Sequence, residues 1–187
     1  MKIISTETWT YERMLAELPN ESAYELRDFN LIDMPSPKRI HQRIVGLVYR
    51  RLIHFVEEQT LGEVYIAPFD VIFDKGNVCQ PDVVFLSTNK QALSTEGGIM
   101  GAPDLLIEVV SKGSVVRDYI EKKTDYEHFG VAEYWLIDPL SETMIVYALT
   151  DGKYALFSAV EESGTATSKL LDGFALTFND VFGEEAP

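Results

Sequence analysis

A carboxylate stands inside the most apolar segment of the chain. Glu108 lies between Ile107 and Val109 in the run 104–110, whose near-continuous apolar character is typical of a strand buried on both faces. Removing a charged carboxylate from water is unfavourable unless a cation or hydrogen-bond donors compensate for it. The sequence therefore predicts either a buried ion pair or a metal ligand at Glu108.

Two aspartates, each preceded by a proline, are candidate partners of Glu108. Asp104 shares its strand and face, but four residues of strand rise separate the two carboxylates by about 13 Å. A single divalent metal, with oxygen ligands at about 2.0–2.6 Å, does not easily join groups that far apart. Asp82 belongs to another strand, and adjacent strands lie only about 4.8 Å apart. Asp82 and Glu108 are therefore the predicted metal-binding pair, and Asp104 is expected to cap its strand or turn the loop.

A lysine on the following helix is the third predicted member of the site. Tyr119, Lys122 and Tyr126 recur at steps of three and four, which places them on the apolar face that packs against the sheet. From there Lys122 can reach the carboxylates, whereas Lys123 falls on a more polar face. The alternative is an ion pair between Lys122 and Asp118 on the helix surface, which would contribute only about 0.2–0.5 kcal/mol.

Three further polar residues are weaker candidates. Glu25, in a predicted N-terminal hairpin, could reach the site as a further metal ligand. Asp70 could add a ligand or simply begin a strand, and His41 is interpreted as a polar residue at a helix start rather than a ligand. The sequence contains no Gly-x-Gly-x-x-Gly fingerprint, Walker loop, Cys/His zinc pattern or Gly-x-Ser-x-Gly elbow.

The elements that must position these residues follow from hydrophobic periodicity and turn residues. The predicted elements are a helix over 8–18, a hairpin over 24–34, a helix from 40 to about 55 with Ser36 as N-cap, strands over 64–67, 70–73, 82–86 and 104–110, a helix over 116–129, a strand over 134–137, and a hairpin of 144–149 with 153–160. The strand, helix and strand after residue 104 predict a right-handed parallel crossover. Asp151-Gly152 is a strong turn signal within a closing β-meander.

Bulk composition limits the class of protein. The 187 residues are expected to form a single domain over 1–187. No apolar run is long enough to cross a membrane, and a single cysteine fits a reducing cytoplasm. The net charge of −14 argues against indiscriminate binding of nucleic acid, although bound divalent metal would offset acidic charge at the site.

At this point the residues resemble a known family, the Uma-type family of proposed restriction endonucleases in the PD-(D/E)-x-K nuclease superfamily. The resemblance covers the chain from about residue 20 to its end. The order and spacing of the pieces carry it, and the pieces are Tyr24-Glu25-Leu26, His41-Gln42, Pro68-Phe69-Asp70-Val71, Gln80-Pro81-Asp82, Ala102-Pro103-Asp104, Ile107-Glu108-Val109-Val110-Ser111, Asp118 with Glu121-Lys122 and Tyr126, and the run 130–139.

The resemblance implies a restriction-endonuclease-like core, an α/β (α+β mixed-sheet) fold with an N-terminal hairpin and a C-terminal β-meander. It implies that Asp82 is the Asp of the Pro-Asp motif and Glu108 the acid of the (D/E)-x-K motif. Val110 stands where the superfamily has lysine, so the lysine has moved to Lys122 on the helix. Two departures lie within the family pattern, one in the hairpin turn at 28–30 and one in the loop at 112–113.

The predicted function is a metal-dependent DNA endonuclease that hydrolyses phosphodiester bonds. Asp82, Glu108 and Lys122 are the predicted catalytic residues, and Asp82, Glu108 and Glu25 are the predicted ligands of Mg²⁺ or Mn²⁺. DNA is the expected substrate, no membrane partner is expected, and a homodimer is a family-level expectation. The alternative is a catalytically inactive nuclease-fold module for binding or assembly, which the net charge of −14 favours.

Overall fold

The structure, a computed structural model, describes residues 7–19, 24–34 and 36–183. Its elements in chain order are α1 (Tyr11–Glu17), β1 (Tyr24–Arg27), β2 (Asn30–Asp33), α2 (Arg39–Glu58), β3 (Gly62–Ile66), β4 (Val71–Asp74), β5 (Asn77–Cys79), β6 (Val83–Ser87), a 3₁₀ helix (Thr88–Leu93), β7 (Ser94–Thr95), β8 (Gly98–Met100), β9 (Leu105–Val109), a π-helical turn (Arg117–Lys122), α3 (Lys123–Phe129), β10 (Glu133–Asp138), β11 (Thr143–Thr150), β12 (Lys153–Glu161), β13 (Thr165–Thr167), β14 (Ala175–Thr177) and α4 (Phe178–Phe182).

One six-stranded sheet forms the centre of the fold. Its strand order is β12-β11-β10-β9-β6-β3. The strands β9 and β10 are parallel, as predicted from the helix that separates them in sequence, and the other neighbours are antiparallel. The chain from β10 to β12 is an antiparallel meander, so the predicted C-terminal meander is confirmed.

Helices cover both faces of this sheet. On one face α2 buries Ile44, Val48 and Leu52 against a cluster that includes Ile107. On the other face Tyr126 of α3 packs with alternate residues of the same strands, such as Leu106. Every residue of β9 and β10 is buried, which explains why their sequences are apolar without alternation. The predicted mixed α/β fold is confirmed.

A second six-stranded sheet carries the N-terminal hairpin. Its order is β2-β1-β5-β4-β8-β7. The hairpin pairs Leu26 with Leu31, and its turn residues Asp28 and Phe29 have φ values of 49° and 62°, the left-handed region that two-residue hairpin turns need. The predicted hairpin is thus confirmed, and β1 carries Glu25.

Two predicted helix boundaries differ from the structure. The helix α2 begins at Arg39 after Lys38, which makes no side-chain capping hydrogen bond, so the prediction of Ser36 as N-cap is wrong because Ser36 lies three residues before the helix. The helix predicted over 116–129 starts instead as the π-helical turn Arg117–Lys122.

Within the described residues, no helix has the length and apolarity that crossing a membrane requires.

A second buried carboxylate, Glu133 of β10, is a structural anchor. Its Oε1 accepts hydrogen bonds from Trp135 Nε1 and Ser168 Oγ, both at 2.6 Å. Its Oε2 accepts from the backbone N–H groups of Lys169 at 2.7 Å and Leu170 at 2.8 Å. Both oxygens are fully engaged, so Glu133 fastens the segment after β13 to the central sheet.

We expect Glu133→Gln to lower the free energy of unfolding by about 2–4 kcal/mol, because an amide NH₂ would face the donors now bound to a carboxylate oxygen. Urea denaturation followed by circular dichroism measures the change. The matched control is Glu161→Gln at an exposed position of β12, which should change stability by no more than about 0.5 kcal/mol. Equal unfolding midpoints for the two variants would contradict the anchoring role.

Candidate active site

Asp82 lies immediately before β6, beside the end of β9. The two strands pair antiparallel with Val83 opposite Ile107, so one step further Asp82 lies across from Glu108. Asp82 Oδ2 accepts a hydrogen bond of 2.7 Å from the backbone N–H of Val109. The predicted location of Asp82 and Glu108 on neighbouring strands is therefore confirmed.

Glu108 is buried in β9, with its side chain directed toward the helix that covers this face. Its Oε1 accepts hydrogen bonds from Lys122 Nζ at 2.5 Å and from Tyr126 Oη at 2.6 Å. Burial raises the pKa of the Glu108 carboxyl, and the negative charge of Asp82 adds to the rise, although Lys122 opposes it. The lysine and the phenol are therefore the two hydrogen-bond donors that stabilise the charged form of Glu108.

Lys122 closes the π-helical turn and is 4 % exposed. The sheet-facing direction predicted for it is confirmed by its contact with Glu108. An ion pair with Asp118 on the helix surface is excluded because both residues are buried. Lys123 does not contact Glu108. Its Nζ lies 4.0 Å from the centre of the Tyr147 ring, so its side chain makes a contact that its predicted place on a polar helix face did not indicate.

Glu25 lies at the same cluster but is occupied by other partners. Its carboxylate forms ion pairs with Arg117 and with Lys122 Nζ, the latter at 3.5 Å. The backbone N–H of Gln80 donates to Glu25 Oε1 at 2.8 Å. The predicted role of Glu25 as a metal ligand stays a prediction, since the contacts make it first of all the counter-ion of two cations.

Three residues at the site were not predicted from the sequence. Arg117 is buried against Glu25, and it lies at the start of the π-helical turn, whose i→i+5 hydrogen bonds differ from the α-helical pattern assumed from the sequence. Asp118 is buried and accepts a hydrogen bond from Ser114 Oγ. Burial raises the pKa of Asp118, whereas the nearby Lys122 lowers it.

His41 is the third missed residue, because it was interpreted as a polar residue at a helix start. Its Nε2 lies 3.2 Å from Asp82 Oδ2. Although burial by itself would lower the pKa of His41, the hydrogen bond to Asp82 raises it on balance. The sequence signal that could have found it is the position of the histidine on the sheet-facing side of α2, three residues before the buried Ile44.

Asp104 and Asp70 are each held by partners of their own. Asp104 Oδ2 accepts from the backbone N–H of Ser87 at 2.8 Å, and its Oδ1 lies 3.2 Å from Lys90 Nζ, contacts that agree with the prediction that it caps its strand or turns the loop. Asp70 accepts hydrogen bonds from Tyr11 Oη at 3.0 Å and Gln80 Nε2 at 2.9 Å.

A cavity of about 510 Å³ opens at the end of β9. The residues of the cluster that line it are His41, Asp82, Glu108, Arg117, Asp118 and Lys122. Glu25 lines a separate, smaller cavity on the other side of Lys122. The cavity therefore presents three carboxylates, a lysine, an arginine and a histidine to any molecule that enters it.

The carboxylate oxygens available as metal ligands at this site are of the type that a hard divalent cation prefers. Hydrogen bonds among the described residues use Asp82 Oδ2 and Glu108 Oε1 and leave Asp82 Oδ1 and Glu108 Oε2 without such a bond. Over the described ranges no three His, Cys, Asp or Glu side chains form a ready metal cluster. Mg²⁺ is commonly bound by one or two carboxylates and retains several waters, so two free carboxylate oxygens suffice.

Comparison with known proteins gives a family and solved structures of similar fold. A family described as "Uma2: Putative restriction endonuclease" matches residues 10–179. The chain is similar to a solved structure described as "a putative nuclease belonging to DUF820" from Anabaena variabilis, with 21% identity, a TM-score of 0.76, and coverage of 92% of this chain and 97% of that one. At this identity the likeness concerns the fold. The comparison with curated proteins gives no match.

We expect Tyr126→Phe to lower the free energy of unfolding by about 1.5–3 kcal/mol, because it removes a buried hydrogen bond to a charged carboxylate. Urea denaturation measures the change. The control is Tyr49→Phe in α2, where the hydroxyl makes no side-chain hydrogen bond with the residues described; this variant should be close to neutral. Indistinguishable stabilities would mean that Glu108 does not depend on the phenol.

Proposed function

The chain belongs to the Uma2 family, and from that premise we propose that it is a metal-dependent endonuclease that hydrolyses phosphodiester bonds in DNA. One observation carries the proposal. A buried lysine, Lys122, holds Glu108 at 2.5 Å beside Asp82 in a single open cavity. Two carboxylates can hold a divalent metal, which activates water and polarises a phosphoryl oxygen, and a lysine can stabilise the developing negative charge.

Asp82 and Glu108 would hold Mg²⁺ or Mn²⁺, together with a backbone carbonyl near Val109. Val109 N–H and His41 Nε2 both contact Asp82 Oδ2, and these two contacts fix the orientation of the carboxylate. A bound metal would lower the pKa of a coordinated water and stabilise the charge that develops on the scissile phosphate.

Lys122 is the proposed transition-state residue. Its Nζ is held between Glu108 at 2.5 Å and Glu25 at 3.5 Å, so its position is defined before substrate binds. A cation fixed in a water-poor site stabilises developing negative charge far better than one on the protein surface. Lys122 would neutralise the pentacovalent phosphate or orient the attacking water.

Glu25 is proposed to position Lys122 rather than to bind metal. The carboxylate also binds Arg117, so it connects the hairpin to the π-helical turn. Losing Glu25 would remove one of the two carboxylates that hold Lys122, and with it an ion-pair partner of Arg117. Its effect on catalysis would therefore pass through the orientation of the lysine.

A second candidate is a nuclease-fold module that binds or assembles without cleaving. The net charge of −14 supports it, because phosphate-binding proteins usually carry a basic face. A cleavage assay on supercoiled and linear DNA with Mg²⁺, Mn²⁺ or EDTA at defined salt decides between the two. Metal-dependent nicking supports the enzyme, and intact DNA under all conditions supports the module.

Millimolar Mg²⁺ or Mn²⁺ should raise the melting temperature, because a ligand that binds only the native state stabilises it. Asp82→Asn should remove that rise and still fold. Asp104→Asn is the matched control: it should lose some stability through Ser87 and Lys90 but keep the response to metal. Differential scanning fluorimetry reads both. A wild-type melting temperature that does not change when metal is added would contradict the proposed metal site.

Lys122→Gln should lower the rate of DNA cleavage by about 100-fold or more, the usual effect of losing an electrostatic stabiliser. Lys123→Ala, which loses a contact with Tyr147 and a favourable charge near Glu127, should retain activity within about threefold, consistent with a peripheral change. Circular dichroism must establish that both variants are folded at the assay temperature. Equal rates for the two variants would refute the assignment of Lys122.

A further inference from the structure

The catalytic groups are recessed below the surface of the protein. The side chains of Glu108 and Lys122 are each 5% exposed, and that of Asp82 is 14% exposed. A phosphate that reaches them must enter the cavity of about 510 Å³ in which they lie. A flexible strand can bend a phosphate into such a recess more easily than a stiff duplex, whose persistence length is about 50 nm.

The mouth of the cavity combines two exposed lysines with exposed apolar side chains. Lys38 precedes α2 and Lys112 lies in the loop after β9, and both line the cavity. Ile40 and Leu140 also line it, and they are 43% and 58% exposed. This surface offers a few cationic contacts beside apolar ones.

The apolar part of the mouth fits unstacked bases. In a duplex the bases are stacked inside and the outer surface is mostly phosphate and sugar, which gains nothing from contact with Ile40 or Leu140. In a single strand the base faces are open, and an unstacked base can pack against aromatic or apolar side chains. The mouth therefore matches a strand whose bases are free.

The electrostatics point the same way. Duplex DNA carries a negative charge about every 1.7 Å along its axis, and binding it through phosphate contacts calls for several cations. This protein has a net charge of −14, and of the four lysines and arginines that line the cavity in the described part of the chain, Arg117 and Lys122 are already buried in ion pairs. A single strand has a lower charge density and is repelled less.

We propose that this cavity takes single-stranded DNA, with Lys38 and Lys112 binding phosphates and Ile40 and Leu140 contacting unstacked bases. The inference rests on the proposed nuclease function and names the substrate class for that site. It places the determinants of substrate choice at the mouth of the cavity, apart from the groups that hold metal.

Fluorescence anisotropy of a 5′-labelled 15-nucleotide single strand, and of the same sequence as a blunt duplex, tests the proposal in CaCl₂ at several KCl concentrations. The single strand should bind at least tenfold more tightly. Lys38→Ala and Lys112→Ala should each make the slope of log K against log[KCl] shallower by about 0.7, the value for one single-strand phosphate contact. Lys75→Ala, exposed and outside the cavity, is the control and should leave the slope unchanged.

Leu140→Ser should weaken binding of the single strand about threefold or more without changing the salt slope, because it removes an apolar contact and no charge. Equal or tighter binding of the duplex, unchanged slopes in both lysine variants, or no binding of either probe would overturn the inference. A failure of the proposed function is distinguishable: it would appear as a melting temperature indifferent to metal and as uncut DNA, whatever the anisotropy measurements give.

Discussion

Glu108 and Lys122 meet at 2.5 Å in the interior of the protein, between the central strand and the helix that covers it. Neither charge could remain buried alone, because an unpaired ion in this environment destabilises the fold by several kcal/mol. Tyr126 adds a donor to Glu108, and Glu25 with Arg117 extends the pair on the other side. Sheet, helix and hairpin must therefore dock together for this charge network to be complete.

Two buried glutamates, Glu133 and Glu108, have different surroundings. Glu133 has both oxygens satisfied by four donors, and it borders neither of the two cavities described above. Glu108 has one oxygen held by Lys122 and Tyr126 and lines an open cavity. Both interrupt apolar strands, so burial by itself does not distinguish them. The number of hydrogen-bond donors around each carboxylate distinguishes the two residues.

Local pattern was sufficient for the strands of the central sheet, for the main helices and for part of the site. Continuous apolar character identified the doubly covered strands, and helical spacing directed Lys122 toward the sheet. The spacing of neighbouring strands selected Asp82 over Asp104 as the partner of Glu108, and the register agrees. These features were predictable because side-chain direction in a strand or helix repeats with a fixed local period.

The sequence alone determined the N-terminal hairpin, the strands of the central sheet, the main helices, the location of Asp82 beside Glu108, and the inward direction of Lys122. Only the tertiary structure brought His41 to Asp82 and Arg117 to Glu25. These partners are far apart in the chain, so no local period relates them. The π-helical turn also changes which residues face inward. Such contacts form only when helices and strands pack against each other. The free energy of a buried ion pair depends on the environment in the folded protein, which no single segment of the sequence determines.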